Sequence, residues 1–416
     1  MTDNVNFALA QQYFEQAAAM FAHDKGQLWG VSLDGPMILV DHETRDAVAN
    51  RPDAEGRLSP QANLWIGRIP PDVVLANTAT TWAGVHWTMI IWQSLSSDPV
   101  WRAEIISHEA FHRIQAEIGF PPPEIPNANA HLDTLEGRYW LQMEWRALEQ
   151  ALVSKQETRR AAIADALLFR TARCALFENA ELDERSLEMH EGLAEYTGFY
   201  LSQVTAAQAA AYLRDAPGRY PSFVRAFAYA SGPAYGLLLD EAQPAWREGL
   251  TPQNDLGSLL QTALSIYLPD DPADEAGRRA SAYQGEVLYA QEMQRDQERQ
   301  AEIAAYRARL LAGPALILPI SRQVQCAFDP RATIPIPGSG TVFPFIRISD
   351  AWGILDVEHG GLWMSNDWTT ARIIAPANPE ARPLTADGWM LQLASSWQVQ
   401  PVEFTLNWEL RQDKEE

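Results

Sequence analysis

Residues 103–120 read AEIISHEAFHRIQAEIGF, and at their centre His108 and His112 stand four positions apart with Glu109 beside the first. The surrounding residues predict one helix. Ser97 or Asp98 can cap it, Pro99 suits its first turn, and Gly119 followed by Pro121 ends it. On a helix, positions i and i+4 lie one above the other, so both imidazoles leave the same face and come close enough to share one ion. With eight histidines in 416 residues, chance produces such a His-Glu-x-x-His in roughly one chain of this composition in a hundred. Ile105, Ile106, Phe111 and Ile114 supply apolar packing beside the motif.

The chemistry of the pattern follows from its geometry. Two imidazoles provide two of the ligands that tetrahedral zinc requires. Glu109 is rotated by about 100° from His108 around the helix, so it can reach a water at the metal without ligating it. Such a carboxylate serves as general base. Catalytic zinc takes three protein ligands and leaves the fourth position open. A third histidine at the spacing HExxHxxGxxH is absent, because Gln115 and Ile118 occupy the relevant places.

The third ligand is expected from MHEGLAEYTGFY, residues 189–200, where Glu191 precedes Gly192 and Glu195 follows one turn later on the same face. Glu195, Glu188 and Glu144 are alternatives to Glu191. HEAFH together with EGLAEY resembles the gluzincin zinc metallopeptidases, the group of thermolysin and the zinc aminopeptidases. The resemblance implies His108, His112 and Glu191 as ligands of Zn2+ and Glu109 as the catalytic base. It further implies Glu195 as the carboxylate that orients a zinc-bound imidazole. The interval from His112 to Glu191 is longer than is usual in that group, and the Gly-x-Met-Glu-Asn motif of the aminopeptidases is missing. The oxyanion that forms on an attacked carbonyl needs a donor near the metal. His131 and Tyr196 are candidates, with Arg138, Tyr229 and Tyr235 behind them.

Around this centre the chain reads as α+β, with a zincin-like catalytic region followed by a β-rich C-terminal domain. Phe7, Leu9, Tyr13, Phe14, Ala17 and Phe21 predict a helix over residues 6–23. Between residues 28 and 93 the runs LWGVSL, PMILVD, NLWIGRI, VVLAN and VHWTMIIW predict a small sheet. The strand above the metal helix, where an extended peptide could pair, is expected within TWAGVHWTMIIW, residues 81–92. Helical patterns then continue to about residue 312, with a helix start at Ser231 and Pro233. In PVEFTLNWEL the alternation of Val402, Phe404, Leu406, Trp408 and Leu410 predicts a strand. The expected divisions are 1–204 for the catalytic domain, 205–314 for a helical subdomain and 315–416 for the β domain.

Acidic residues outnumber basic ones 54 to 32, for a net charge of −22, which disfavours nucleic acid and anionic lipid as partners. Cys174 and Cys326 stand in no CxxC or Cys/His cluster and read as reduced, structural thiols. The first residues lack the basic start and apolar run of a signal peptide, and no segment reaches the length of a membrane span, so a cytoplasmic location is expected. The expectation that results is a zinc metallohydrolase acting on a peptide or protein substrate by a zinc-activated water. Its rivals are a non-catalytic binding or scaffold protein with a structural zinc site and a hydrolase of non-peptide amides.

Overall fold

In the computed structural model, residues 5–71, 73–122, 129–328, 332–336 and 338–412 are described. They form two compact units, Met1–Tyr289 and Ala290–Glu416. Helix α1 (Phe7–Asp24) opens the first unit, with the Asn6 side chain accepting from the backbone N–H groups of Ala8 and Leu9. Strands β1 (Met37–Val40), β2 (Asp46–Ala49), β3 (Ser59–Gln61), β4 (Leu64–Arg68), β5 (Thr78–Trp82) and β6 (Val85–Ile91) follow. Their order in the sheet is β3-β4-β2-β1-β6-β5, with β1 and β6 parallel and the other pairs antiparallel.

The sheet buries both faces. Met37 and Leu39 of β1 join the main core, whereas Ile38 and Val40 join a second cluster with Trp87 and Met89, as the two-residue period of a strand requires. The runs LWGVSL and VVLAN are not strands. Leu28 and Leu33 are buried core residues of an irregular connection, and Asn77 accepts from the Ile91 N–H at the sheet's end. Residues 81–92 contain mostly β6, an interior strand, and the edge strand is β5. Apolar content alone does not distinguish a strand from a plugging loop.

Helix α2 (Pro99–Gln115) starts where Asp98 accepts from the Val100 N–H, and it packs against β5 and β6. Gly119, at φ +93°, takes the left-handed conformation that turns the chain away beyond it. Helices α3 (Leu135–Val153), α4 (Gln156–Cys174), α5 (Ala180–Leu187), α6 (Leu193–Leu201), α7 (Ala206–Arg219) and α8 (Phe223–Ala242) follow, then α9 (Leu256–Ala263) and α10 (Pro272–Ala280). Helix α8 runs through Ser231 and Pro233, and its cap is Ser222, whose hydroxyl accepts from the Val224 N–H. Ser231 is buried inside the helix and accepts from the Trp145 indole at 2.9 Å. One buried cluster takes residues from Val5 to Leu288, so the cut expected between 204 and 205 crosses a shared core.

Helix α11 (Gly285–Tyr306) and a wide turn, Arg307–Ala312, lead into the strands of the second unit. One sheet orders Trp397–Pro401, Trp408–Gln412, Ala315–Pro319, Thr370–Ile374, Leu362–Ser365, Gly340–Phe343 and Ile334–Ile336. The other orders Leu384–Ala386, Trp389–Leu393, Gly353–Val357, Ile346–Asp350 and Gln325–Ala327. Leu316, Met364 and Ile373 of the first share a core with Ile348, Leu355 and Leu391 of the second. The strand expected over 402–410 begins only at Trp408, because residues 403–406 turn and Phe404 sits at φ +61° in solvent. Cys174 and Cys326 are free thiols. Among the described residues no helix is long and apolar enough to cross a membrane.

Candidate metal centre

Helix α2 is fixed by Ile106, Ala110, Phe111 and Ile114, all buried in the core, and this leaves His108 and His112 on one remaining face. Their Nε2 atoms are 3.1 Å apart. Glu191 comes from a five-residue π-helical turn, Glu188–Gly192, between α5 and α6. Such turns insert a residue and redirect the side chains around it. Glu191 Oε2 lies 3.7 Å from His108 Nε2 and 3.4 Å from His112 Nε2.

These three separations can be tested against an ion. Donors about 2.1 Å from a tetrahedral zinc stand about 3.4 Å from one another, and the triangle of 3.1, 3.4 and 3.7 Å surrounds that value. The proton positions agree. His108 Nδ1 is 2.7 Å from Glu195 Oε2, and His112 Nδ1 is 2.7 Å from Gln115 Oε1, whose amide nitrogen donates to the His190 carbonyl at 2.8 Å. Both Nδ1 atoms therefore donate, and both Nε2 lone pairs face each other. Only a cation, a proton or a metal ion, reconciles that approach. Burial alone would lower the pKa of His108, but Glu191 and Glu195 raise it well above the ordinary imidazole value, so a positive charge, on a proton or a metal ion, is favoured in this place. The residues present fit a zinc ion, which would displace that proton.

Glu109 is buried beside this triangle, and its Oε2 has no hydrogen-bond partner among the described residues. A buried carboxylate oxygen needs a partner, and a water or an ion at the triangle would supply one. Burial, followed by the opposing influence of the two histidines, leaves its pKa raised. Burial likewise pushes the Glu191 carboxyl upward, but hydrogen bonds to His108 and His112 hold it well below the usual carboxylate range.

Helix α8 approaches the π-helical turn along one stripe of its surface, at Arg225, Tyr229 and Gly232. Arg225 Nη2 donates to Glu191 Oε1 at 2.9 Å, and the Tyr229 hydroxyl donates to Glu191 Oε2 at 2.6 Å. The Tyr229 ring lies parallel to that of His108, centroids 5.6 Å apart. Gly232 permits this crossing, since a Cβ there would stand 2.3 Å from Gly192 Cα. His190 packs its ring 5.0 Å from that of His112, and its Nδ1, like Glu109 Oε2, is a buried polar atom without a partner among the described residues.

The other expected residues are held elsewhere. His131 Nε2 binds Glu184 at 2.9 Å, and the Tyr196 hydroxyl donates to Asp240, so neither stands at the triangle where an oxyanion donor would be needed. Arg138 lies over the Phe223 ring, and Tyr235 donates to Glu144. Glu144 and Glu188 belong to a buried ion network with Arg170 and Arg173 rather than to the triangle. Of the tyrosines named from the sequence, the one present is Tyr229. Arg225 and His190 were not legible as site residues. Their only sequence signal is spacing, since Arg225 precedes Tyr229 by one turn and His190 adjoins Glu191. No family model, curated protein or solved structure matches the chain.

Proposed function

We propose that the chain is a zinc-dependent metallohydrolase of gluzincin type that hydrolyses peptide bonds. The observation that carries this reading is the triangle of His108 Nε2, His112 Nε2 and Glu191 Oε2 at tetrahedral spacing beside the unpartnered carboxylate of Glu109. A zinc ion bound there would act as a Lewis acid toward a carbonyl and lower the pKa of water. Glu109 accepts the proton of the attacking water and passes it to the leaving nitrogen, a task suited to its raised pKa. Tyr229 is the oxyanion donor closest at hand, its hydroxyl poised at Glu191 Oε2. Glu195 fixes the His108 tautomer, and Gln115 does the same for His112.

The choice of a peptide rests on β5. It is an edge strand beside the metal helix, where an extended chain can add along its outer side. A broad peptide-library digest at neutral pH with zinc-loaded protein tests the reading. The wild type should cleave, and Glu109→Gln should keep its zinc while turnover drops by several orders of magnitude. Full activity in Glu109→Gln would remove Glu109 from the mechanism.

A further inference from the structure

The side of Glu195 away from His108 is not open to solvent. Glu195 Oε2 serves the His108 Nδ1–H at 2.7 Å, and Glu195 Oε1 accepts from the Tyr212 hydroxyl at 2.9 Å. The Tyr212 oxygen in turn lies 2.9 Å from the Tyr220 hydroxyl. A carboxylate can only accept, so the direction is set: Tyr220 donates to Tyr212, and Tyr212 donates to Glu195. The Tyr212 ring is clamped as well, stacked on Trp101 at 5.9 Å and covered by the Arg219 guanidinium at 4.1 Å.

We infer that Tyr212 is a positioning residue for the metal centre, acting on His108 through Glu195, with Tyr220 supporting it from the end of α7. The inference rests on the metal reading proposed above. Glu195 can hold the His108 ring in one orientation only if its own carboxyl plane is fixed, and with one oxygen on His108 the other must be anchored independently. Tyr212, itself half-buried, supplies that anchor to the buried carboxylate of Glu195. Removing the hydroxyl leaves Oε1 without this donor, so that the carboxylate is held only by His108 and by its neighbour Glu104 and its plane is less tightly fixed. The imidazole then loses orientation and basicity, the two properties that such outer partners confer on a metal ligand.

The experiment measures zinc affinity by competition with a chromophoric chelator, apo-protein melting temperature, and the proton resonance of the His108 Nδ1–H. Tyr212→Phe keeps the ring and its packing. It should weaken zinc binding by about tenfold, at the low end of the range for direct partners of ligands, and should broaden or shift the Nδ1–H resonance while the fold is retained. Tyr220→Phe should act in the same direction and more weakly. Tyr283→Phe, which removes a buried hydroxyl on Asp165 far along the chain, should leave zinc affinity unchanged. Wild-type affinity and an unaltered resonance in Tyr212→Phe would overturn the relay alone. Failure of the wild type to take up zinc would overturn the metal reading beneath it. Equal weakening by Tyr283→Phe would reduce the Tyr212 effect to general loosening of the core, and the inference would fall.

Discussion

Substituting Arg173 by methionine should destabilise the first unit by about 3–5 kcal/mol, because it strands buried carboxylates without their cation. The Arg173 side chain is fully buried, with Nε 2.9 Å and Nη2 2.6 Å from Glu184 and Nη1 2.5 Å from Glu144. Methionine fills much of the stem's space, so the loss is chiefly electrostatic. At about 2.1 cal/mol/K of unfolding entropy per residue, the span Met1–Tyr289 carries about 0.6 kcal/mol/K. The melting temperature should therefore fall by about 5–8 °C. Differential scanning calorimetry on wild type and variant reads this directly. Adding Glu184→Leu should recover part of the loss, since a buried pair replaced by apolar groups is often neutral. A melting temperature within about 1 °C of wild type would refute the claim that this network is a strong local constraint. The point bears on the site, because Arg170 of the same network binds Glu188, the first residue of the turn that carries Glu191.

Glu191, in that turn, and Glu195, in α6, separate by role. Glu191→Ala should weaken zinc binding severely, since the only anionic donor is gone and Arg225 is left facing the ion. Glu195→Ala should cost about 10–100-fold in affinity, and zinc titration of the folded variants distinguishes them. Acid should destabilise the first unit through Glu184. Burial would raise its pKa, but Arg173 holds it at about 2. The folded value is below the unfolded one, so the stabilisation is present above about pH 4.3 and is lost as pH falls toward 2, up to about 3 kcal/mol. Urea unfolding across this range should show that slope, and Glu184→Gln should flatten it.

What the sequence made legible was local. The ends of α2 follow from one cap, one proline and one glycine, and the histidine pair follows from the helical period. The same period relates Glu191 to Glu195, although Glu191 itself lies in a π-helical turn, which places His190 beside the site as well. Tyr212, Arg225 and Tyr229 arrive 17, 34 and 38 residues away from the carboxylates they bind, carried by α7 and α8. Nothing in their neighbours announces that, because crossing angles are set by contacts such as Gly192 on Gly232. Two expectations failed for opposite reasons. Pro233 resembled a helix start but lies inside α8, where neighbouring helices enclose it. The alternation across 402–410 resembled a strand, yet Phe404 and Leu406 extend into solvent from a turn.

The metal centre itself is most directly tested by anomalous scattering at the zinc edge, using crystals of protein purified without chelators and supplied with zinc. A single strong peak is expected, about 2.0–2.2 Å from His108 Nε2, His112 Nε2 and a Glu191 oxygen, with no fourth protein atom in contact. An ion held by other residues, a fourth protein ligand closing the site, or no peak at all in protein that takes up no zinc would contradict the account.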